Sequence, residues 1–269
     1  MKSIEIFGSI RTAIQFAKHT LKNYGSYVKT ESWQGVKNPA EMFEFDNLYF
    51  RAKMPSTRIS LEEQTGADMP WAEDHFKERV GGLPLNPGVQ YKNWPGYKDK
   101  DFNDRNFRNV NKQFSHTYME RYWPTRANSM LHHKDADDHA NKIHGIRYEY
   151  GDLDDVINLL AKEPYTRQAY LPVWFPEDTG VLHGGRVPCT IGYHFMRKGQ
   201  ELHIHYMIRA CDYIRHFRND IYLTVRLAQW VLEKLQILDS EKWGNVEVGI
   251  FTMDIIHFHV FYQERNLIV

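Results

Sequence analysis

The sequence predicts an α/β fold built around a large mixed or antiparallel sheet with flanking helices. Three features predict it: two apolar runs paired around a turn in 188–209, helical periodicity in several separated segments, and a closing β-branched run near the C-terminus. The hairpin is the clearest. CTIGYHFM and LHIHYMIRA flank Arg197-Lys198-Gly199-Gln200, and side chains along each strand should alternate between two faces.

The remaining elements follow in chain order. SIEIFG reads as a short strand, and Ser9 to Asn23 carries Ile10, Ala13, Ile14, Phe16 and Ala17 at amphipathic helical spacing. Pro70 to Val80 is a second helix, stopped by Gly81 and Gly82. The Pro-, Gly-, Asn-, Asp- and Lys-rich stretch from Leu83 to Asn111 reads as a long ordered loop, a kind of segment that often carries function. Asp152 to Lys162 places Leu153, Val156, Ile157 and Leu160 on one helical side, and Glu163-Pro164 ends it before the extended AYLPVWF. Asn219-Asp220 opens a long helix carrying Ile221, Val225, Leu227, Ala228, Val231 and Leu235, and VGIFTMDIIHFHVFY returns as a final strand. With no internal repeat or low-complexity tract, the chain reads as a single domain, 1–269.

Composition narrows the function. The chain is 42% hydrophobic and 25% charged, enough to bury a substantial core. Lys plus Arg equals Asp plus Glu at 34 each, so there is no global basic field to hold a nucleic-acid backbone or an anionic membrane. A small anion held by a few local arginines stays open. Only Cys189 and Cys211 occur, without CxxC, which argues against a disulfide scaffold and for reduced thiols. No apolar run reaches the roughly 18–20 residues that span a bilayer, and the expected location is the cytoplasm.

A cysteine works as a nucleophile only as thiolate, which needs nearby positive charge or a base, and Cys189 follows Arg186 closely. On local sequence alone, a buried inert cysteine competes with that reading. RVPCT at Cys189, RACD at Arg209, FRND at Asp220 and the HFH of His257 and His259 form a series. That series resembles the thymidylate synthases and, more closely, the bacteriophage deoxycytidylate hydroxymethylases. The resemblance runs from Cys189 through His259 and more loosely back to Glu73; the first 70 residues match poorly.

The resemblance implies a thymidylate synthase-like fold and a sheet-packed homodimer. It also implies a one-carbon transfer from 5,10-methylenetetrahydrofolate to C5 of a pyrimidine nucleoside monophosphate, with Cys189 adding to C6. Arg209 resembles the arginine that holds the nucleotide phosphate, and Arg167 in PYTRQAY resembles an arginine lent across the dimer to the same phosphate. Gln168 and Ala210 depart from the family's arginine and serine there. Thymidylate synthases have asparagine where Asp220 stands, to read uracil; a carboxyl group suits the reversed donor and acceptor pattern of cytosine. The competing reading makes Asp220 the cap of the helix that starts at Ile221.

Glu73 in PWAEDHF resembles the glutamate that works through water at the base, with Glu78 as a rival. Tyr118 resembles a tyrosine of the proton-abstraction network, and Trp94 an aromatic contact of the folate; core packing is the alternative for both. His257 resembles the histidine that reaches the sugar 3'-hydroxyl, and His259 replaces a tyrosine, which leaves CMP open beside dCMP. The expected reaction is therefore deoxycytidylate 5-hydroxymethylation, in a nucleotide-modifying enzyme of the kind phages use to make modified DNA. The alternatives are CMP or dUMP hydroxymethylation, a thymidylate or methylcytidylate synthase, and a non-catalytic nucleotide- or RNA-binding relative.

Two histidine groups read as structural. LHHKDADDHANKIH, with His132, His133, Asp135, Asp138, His139 and His144, lacks a metal-ligand spacing and reads as a solvated segment, and His203 and His205 read as a hydrogen-bonded pair, so no metal site is expected.

Overall fold

A computed structural model describes residues 6–30, 40–94, 113–114, 116–126, 151–180 and 187–268. The LHHKDADDHANKIH segment, Arg186 and most of the second half of the expected long loop lie outside those residues.

The chain opens with β1 (Ile6–Phe7) and α1 (Ile10–Tyr24), whose first turn is capped by the Ser9 hydroxyl accepting from the Thr12 N–H. Ile10, Ala13, Ile14, Ala17 and Leu21 form the buried stripe of α1, which packs on a long strand, β3 (Ala40–Lys53). Between them lies β2 (Ser26–Thr30). Next come α2 (Arg58–Thr65), α3 (Trp71–Val80), α4 (Val89–Asn93) and α5 (Tyr118–Tyr122). A capping box holds the start of α5, with Thr117 accepting from the Glu120 N–H and Glu120 from the Thr117 N–H. Asp152 and Asp155 do the same for α6 (Leu153–Lys162).

Then follow β4 (Tyr170–Pro172), α7 (Pro176–Gly180), β5 (Thr190–Lys198) and β6 (Glu201–Asp212). The last elements are α8 (Phe217–Leu238), α9 (Ser240–Trp243) and β7 (Glu247–Phe261). The predicted hairpin is β5–β6; Lys198 pairs with Glu201 across Gly199-Gln200, where Gly199 takes a positive φ of 60° that a side chain would resist.

The strands form one seven-stranded sheet in the order β1-β3-β7-β6-β5-β4, with β2 also on β3. It is mixed: β6 and β7 run parallel, β3–β7 and β5–β6 antiparallel. Helices α1 and α8 lie on one face. There Phe50, Phe251, Met253, Ile204, Tyr206, Phe195 and Tyr193 meet Phe217, Ile221, Val225 and Leu235, all close to fully buried. The opposite face carries Tyr49, His194, Met196, His205, Met207, Asp254 and Ile256 with partial exposure. No helix of the described residues is long and apolar enough to cross a membrane.

One sequence expectation needs correcting: part of the expected loop after Gly82 is helical, as α4. The sequence reading also left unmarked the long strand β3 in the N-terminal region.

Candidate active site

A corner of the sheet collects the chemistry. It is built where β5 begins, β6 ends and α8 starts, with α3 and α5 closing it from the other half of the chain.

Cys189, partly buried, immediately precedes β5. Its carbonyl accepts from the Arg209 N–H at 2.9 Å, which ties the cysteine's backbone to β6. The β5–β6 register shifts between Thr190 and Gly192, a bulge that re-aims the strand next to Cys189. Gly192 is required there, because a Cβ would come within 2.3 Å of the Tyr170 hydroxyl and 2.7 Å of the Leu171 carbonyl. The Arg209 side chain lies along the same entry. Its Nε donates to the Pro188 carbonyl at 3.0 Å, and its guanidinium stands 5.6 Å from the Trp174 ring centre.

Behind the thiol runs a chain of hydroxyls. Tyr118 Oη is 2.8 Å from Thr190 Oγ1, which is 2.9 Å from Tyr206 Oη. Thr190 is fully buried, and burial holds both phenols well above the usual tyrosine range. These groups exchange hydrogen bonds at neutral pH without ionising.

Asp220 sits inside α8, not at its cap: its N–H donates to the His216 carbonyl at 2.8 Å, and His216 is the N-cap. The capping alternative is thereby removed, and the carboxyl is free for another role. The Cys211 thiol lies 3.7 Å from its Oδ2. Burial pushes the Asp220 carboxyl up to about 7, against the opposing pull of Arg79 and the Cys211 hydrogen bond.

Arg79 is a residue that sequence reasoning missed. It is 5% exposed, its Nε donates to His75 Nε2 at 3.0 Å, and its Cζ lies 3.9 Å from the Tyr118 ring centre. Burial, reinforced by the Arg79 charge, lowers His75 to about 4, so the imidazole is neutral and accepts from Arg79. His75 Nδ1 is then the protonated nitrogen, donating to Glu78 Oε2 at 3.3 Å. The signal was present in the sequence: His75 and Arg79 recur at i and i+4 beside the apolar Ala72 and Phe76, so they had to face the interior.

The other expected residues fall as follows. Glu73 is buried and accepts from Tyr222 Oη at 2.8 Å and Arg226 Nε at 3.2 Å, both from α8. Its rival Glu78 reaches the corner through His75. The buried Trp94 ring stacks on His216 at 4.6 Å and lies 6.1 Å from Trp71. Arg167 is exposed between α6 and β4, and its carbonyl is 3.1 Å from His194 Nε2.

His259 is buried, its Nδ1 3.4 Å from the His257 carbonyl. His257 is exposed and within hydrogen-bonding distance, through Nδ1, of Glu44 at 3.1 Å and Asp46 at 3.2 Å, a cluster with the spacing of metal ligands that hydrogen bonding already accounts for. His203 is bound by Glu201 at 2.9 Å, whereas His205 stands edge-on to Tyr49 with its buried Nε2 lacking a hydrogen-bond partner among the described residues, so the two do not form the expected hydrogen-bonded pair. The structure thus brings Cys189, Tyr118, Arg209 and Asp220 to one corner, and gives Glu73 and His257 other partners.

Among solved structures, thermostable thymidylate synthase A from Bacillus subtilis superposes with a TM-score of 0.61, covering 97% of this chain and 82% of that one at 13% identity. The fold is that of thymidylate synthase. No family model and no curated protein matches the sequence. The thymidylate synthase fold therefore accounts for the strand order and the helix-covered face, while the site must be argued from its own residues.

Proposed function

We propose that this protein transfers a one-carbon unit to C5 of a pyrimidine nucleoside monophosphate, with dCMP as substrate and 5-hydroxymethyl-dCMP as product. The observation that carries this reading is the placement of a partly exposed cysteine beside a buried hydroxyl chain and a carboxyl of raised pKa.

The Cys189 thiolate adds to C6, and the ring's π electrons move so that C5 becomes nucleophilic. Arg209, beside the entry to β5, offers a planar fork of donors for the nucleotide phosphate, and Arg167 adds a second cation from a partner subunit. Asp220, protonated below about pH 7, donates to N3 of cytosine and accepts from its 4-amino group; uracil presents the reverse pattern. Tyr118, fixed by Thr190 with Tyr206 behind it, stays neutral and orients the water that carries the C5 proton to solvent.

The residues present suit a folate: Trp71 and His216, half-buried next to the start of α8, form an aromatic wall with the buried Trp94 packed against both, fit for a flat heteroaromatic ring. 5,10-Methylenetetrahydrofolate would supply the carbon at the oxidation level of formaldehyde, and Trp71 and His216 would line its ring, backed by Trp94. The partly exposed sheet face supports a homodimer.

The test is release of tritium from C5-tritiated dCMP, CMP and dUMP, with and without methylenetetrahydrofolate, and mass spectrometry of the product. Release from dCMP that Cys189→Ser reduces at least about 1,000-fold is expected. Release from CMP or dUMP alone would move the substrate, and release from none would sink the transferase reading.

A further inference from the structure

Arg79 is buried, and among the described residues no carboxylate lies within ion-pair distance of it. A guanidinium removed from water in this way is expensive unless something in its surroundings answers its charge. Part of the answer is aromatic: the Tyr118 face, with Tyr122 and Tyr193 close by. Part is the neutral His75, which holds Nε and is itself anchored by Glu78. These contacts fix where the charge sits and leave it poorly neutralised. α3, which carries Arg79, packs against α8, which carries Asp220, and the guanidinium's charge reaches that carboxyl.

We propose that Arg79 is a positioning residue of the site: a cation held by His75 and Tyr118 that stabilises the negative charge Asp220 acquires when it passes its proton to the pyrimidine ring. This rests on the reading of the site as a cytosine-binding transferase. When the Cys189 thiolate forms its bond to C6, the C5–C6 π pair becomes a C4–C5 double bond and the C4–N3 π pair moves to N3. N3 takes the proton from Asp220, leaving a carboxylate. The ring ends neutral and the thiolate's negative charge has moved to Asp220. Arg79 faces a neutral acid before the addition and an anion after it, so its attraction is larger in the adduct than in the ground state, which is the condition for lowering a barrier. The other groups around that carboxyl are Cys211 and Tyr206 from β6 and Tyr118 and Tyr122 from α5. None of them is a cation, so the role falls to Arg79.

Two measurements on the full chain test this. The first follows the Asp220 carboxyl by carbon-13 NMR titration, identified by its loss in Asp220→Asn, in wild type, Arg79→Met and Arg79→Lys. The Arg79→Met midpoint should rise by at least half a pH unit, and Arg79→Lys should restore most of the wild-type value. The second is the pH profile of kcat for tritium release from dCMP. Arg79→Met should cut kcat about 10- to 100-fold, move the alkaline limb to higher pH and change KM little, with partial rescue by Arg79→Lys. If Arg79→Met does not fold, Arg79→Gln, which keeps hydrogen bonding without charge, carries the same expectations.

An unmoved midpoint and limb in a folded neutral variant would overturn the proposal, whatever the loss of rate. A moved midpoint in a protein that releases no tritium as wild type would instead overturn the transferase reading, and with it the proton hand-over.

Discussion

Asp220 lies one turn into α8 with a carboxyl that burial holds in the neutral form until about pH 7, and that has a consequence for folding as well as for binding. The folded chain keeps this proton more tightly than the unfolded chain does, where the carboxyl titrates near 3.8. Its contribution to stability is therefore fully present below that value and is lost as pH rises through about 7. Asp220→Asn should be more stable than wild type at pH 8, by at most on the order of 4 kcal/mol, and should lose that advantage near pH 4. Urea unfolding of both proteins at the two pH values checks this; an equal gap at both would show that the carboxyl titrates normally. Cys189, Arg209 and Asp220 were legible in the sequence because each stands in a short matched motif. Thr190 and Tyr206 were not, because their importance comes from which neighbours the fold brings to them, and Arg79 stood in the helical spacing of α3 but in no matched motif. Glu73 shows the reverse: its motif was visible, but Tyr222 and Arg226 on α8 occupy its carboxylate.

At the scale of elements, periodic segments were readable to within a few residues. The helices at Ile10–Tyr24 and Leu153–Lys162 each have a single apolar stripe, whereas Trp71–Val80 buries Glu73, His75 and Arg79 beside Ala72 and Phe76 and is marked by the Gly81-Gly82 stop. β3 escaped because its alternation fails in the middle: Asn47 takes a left-handed φ of 58°, and Glu44 and Asp46 stand where an apolar pattern would mark a strand. α4 is five residues long, too short for a helical period to register. The bulge at the start of β5 could not be read at all, although it lies directly beside Cys189. Gly192→Ala tests its importance. The added methyl group meets a backbone carbonyl and a tyrosine ring, so β4 must move away from β5 at a cost of about 1–3 kcal/mol. Activity should fall more than stability would suggest, because the displaced backbone also carries Cys189. Thermal melts beside tritium-release rates separate the two effects, and an unchanged rate would mean that the bulge does not aim the thiol.

Across the whole molecule, the sheet has one face sealed by helices and one that the described residues leave partly exposed, with Ile256 39% and Tyr49 37% accessible. If a second copy covers that face, Ile256→Asp buries a charge at the interface. It should convert a dimer into a monomer in sedimentation velocity and weaken nucleotide binding at the same time, through loss of the partner's Arg167. A wild-type protein that sediments as a monomer would remove the shared site. The strand order carries a further consequence, for the sequence of events by which the site comes into being. β5, β6, α8 and β7 are consecutive in the chain and contiguous in space, so the part holding Cys189, Arg209 and Asp220 closes through short loops. Tyr118 and Arg79 must dock from a distant stretch of chain. Amide exchange should accordingly be slowest in β6, α8 and β7 and faster in α3 and α5. An excursion that lifts those two helices away would leave the thiol in place and strip it of the Tyr118 hydroxyl and the Arg79 cation, so that, on the proposed reading, catalytic competence would end well before the fold does.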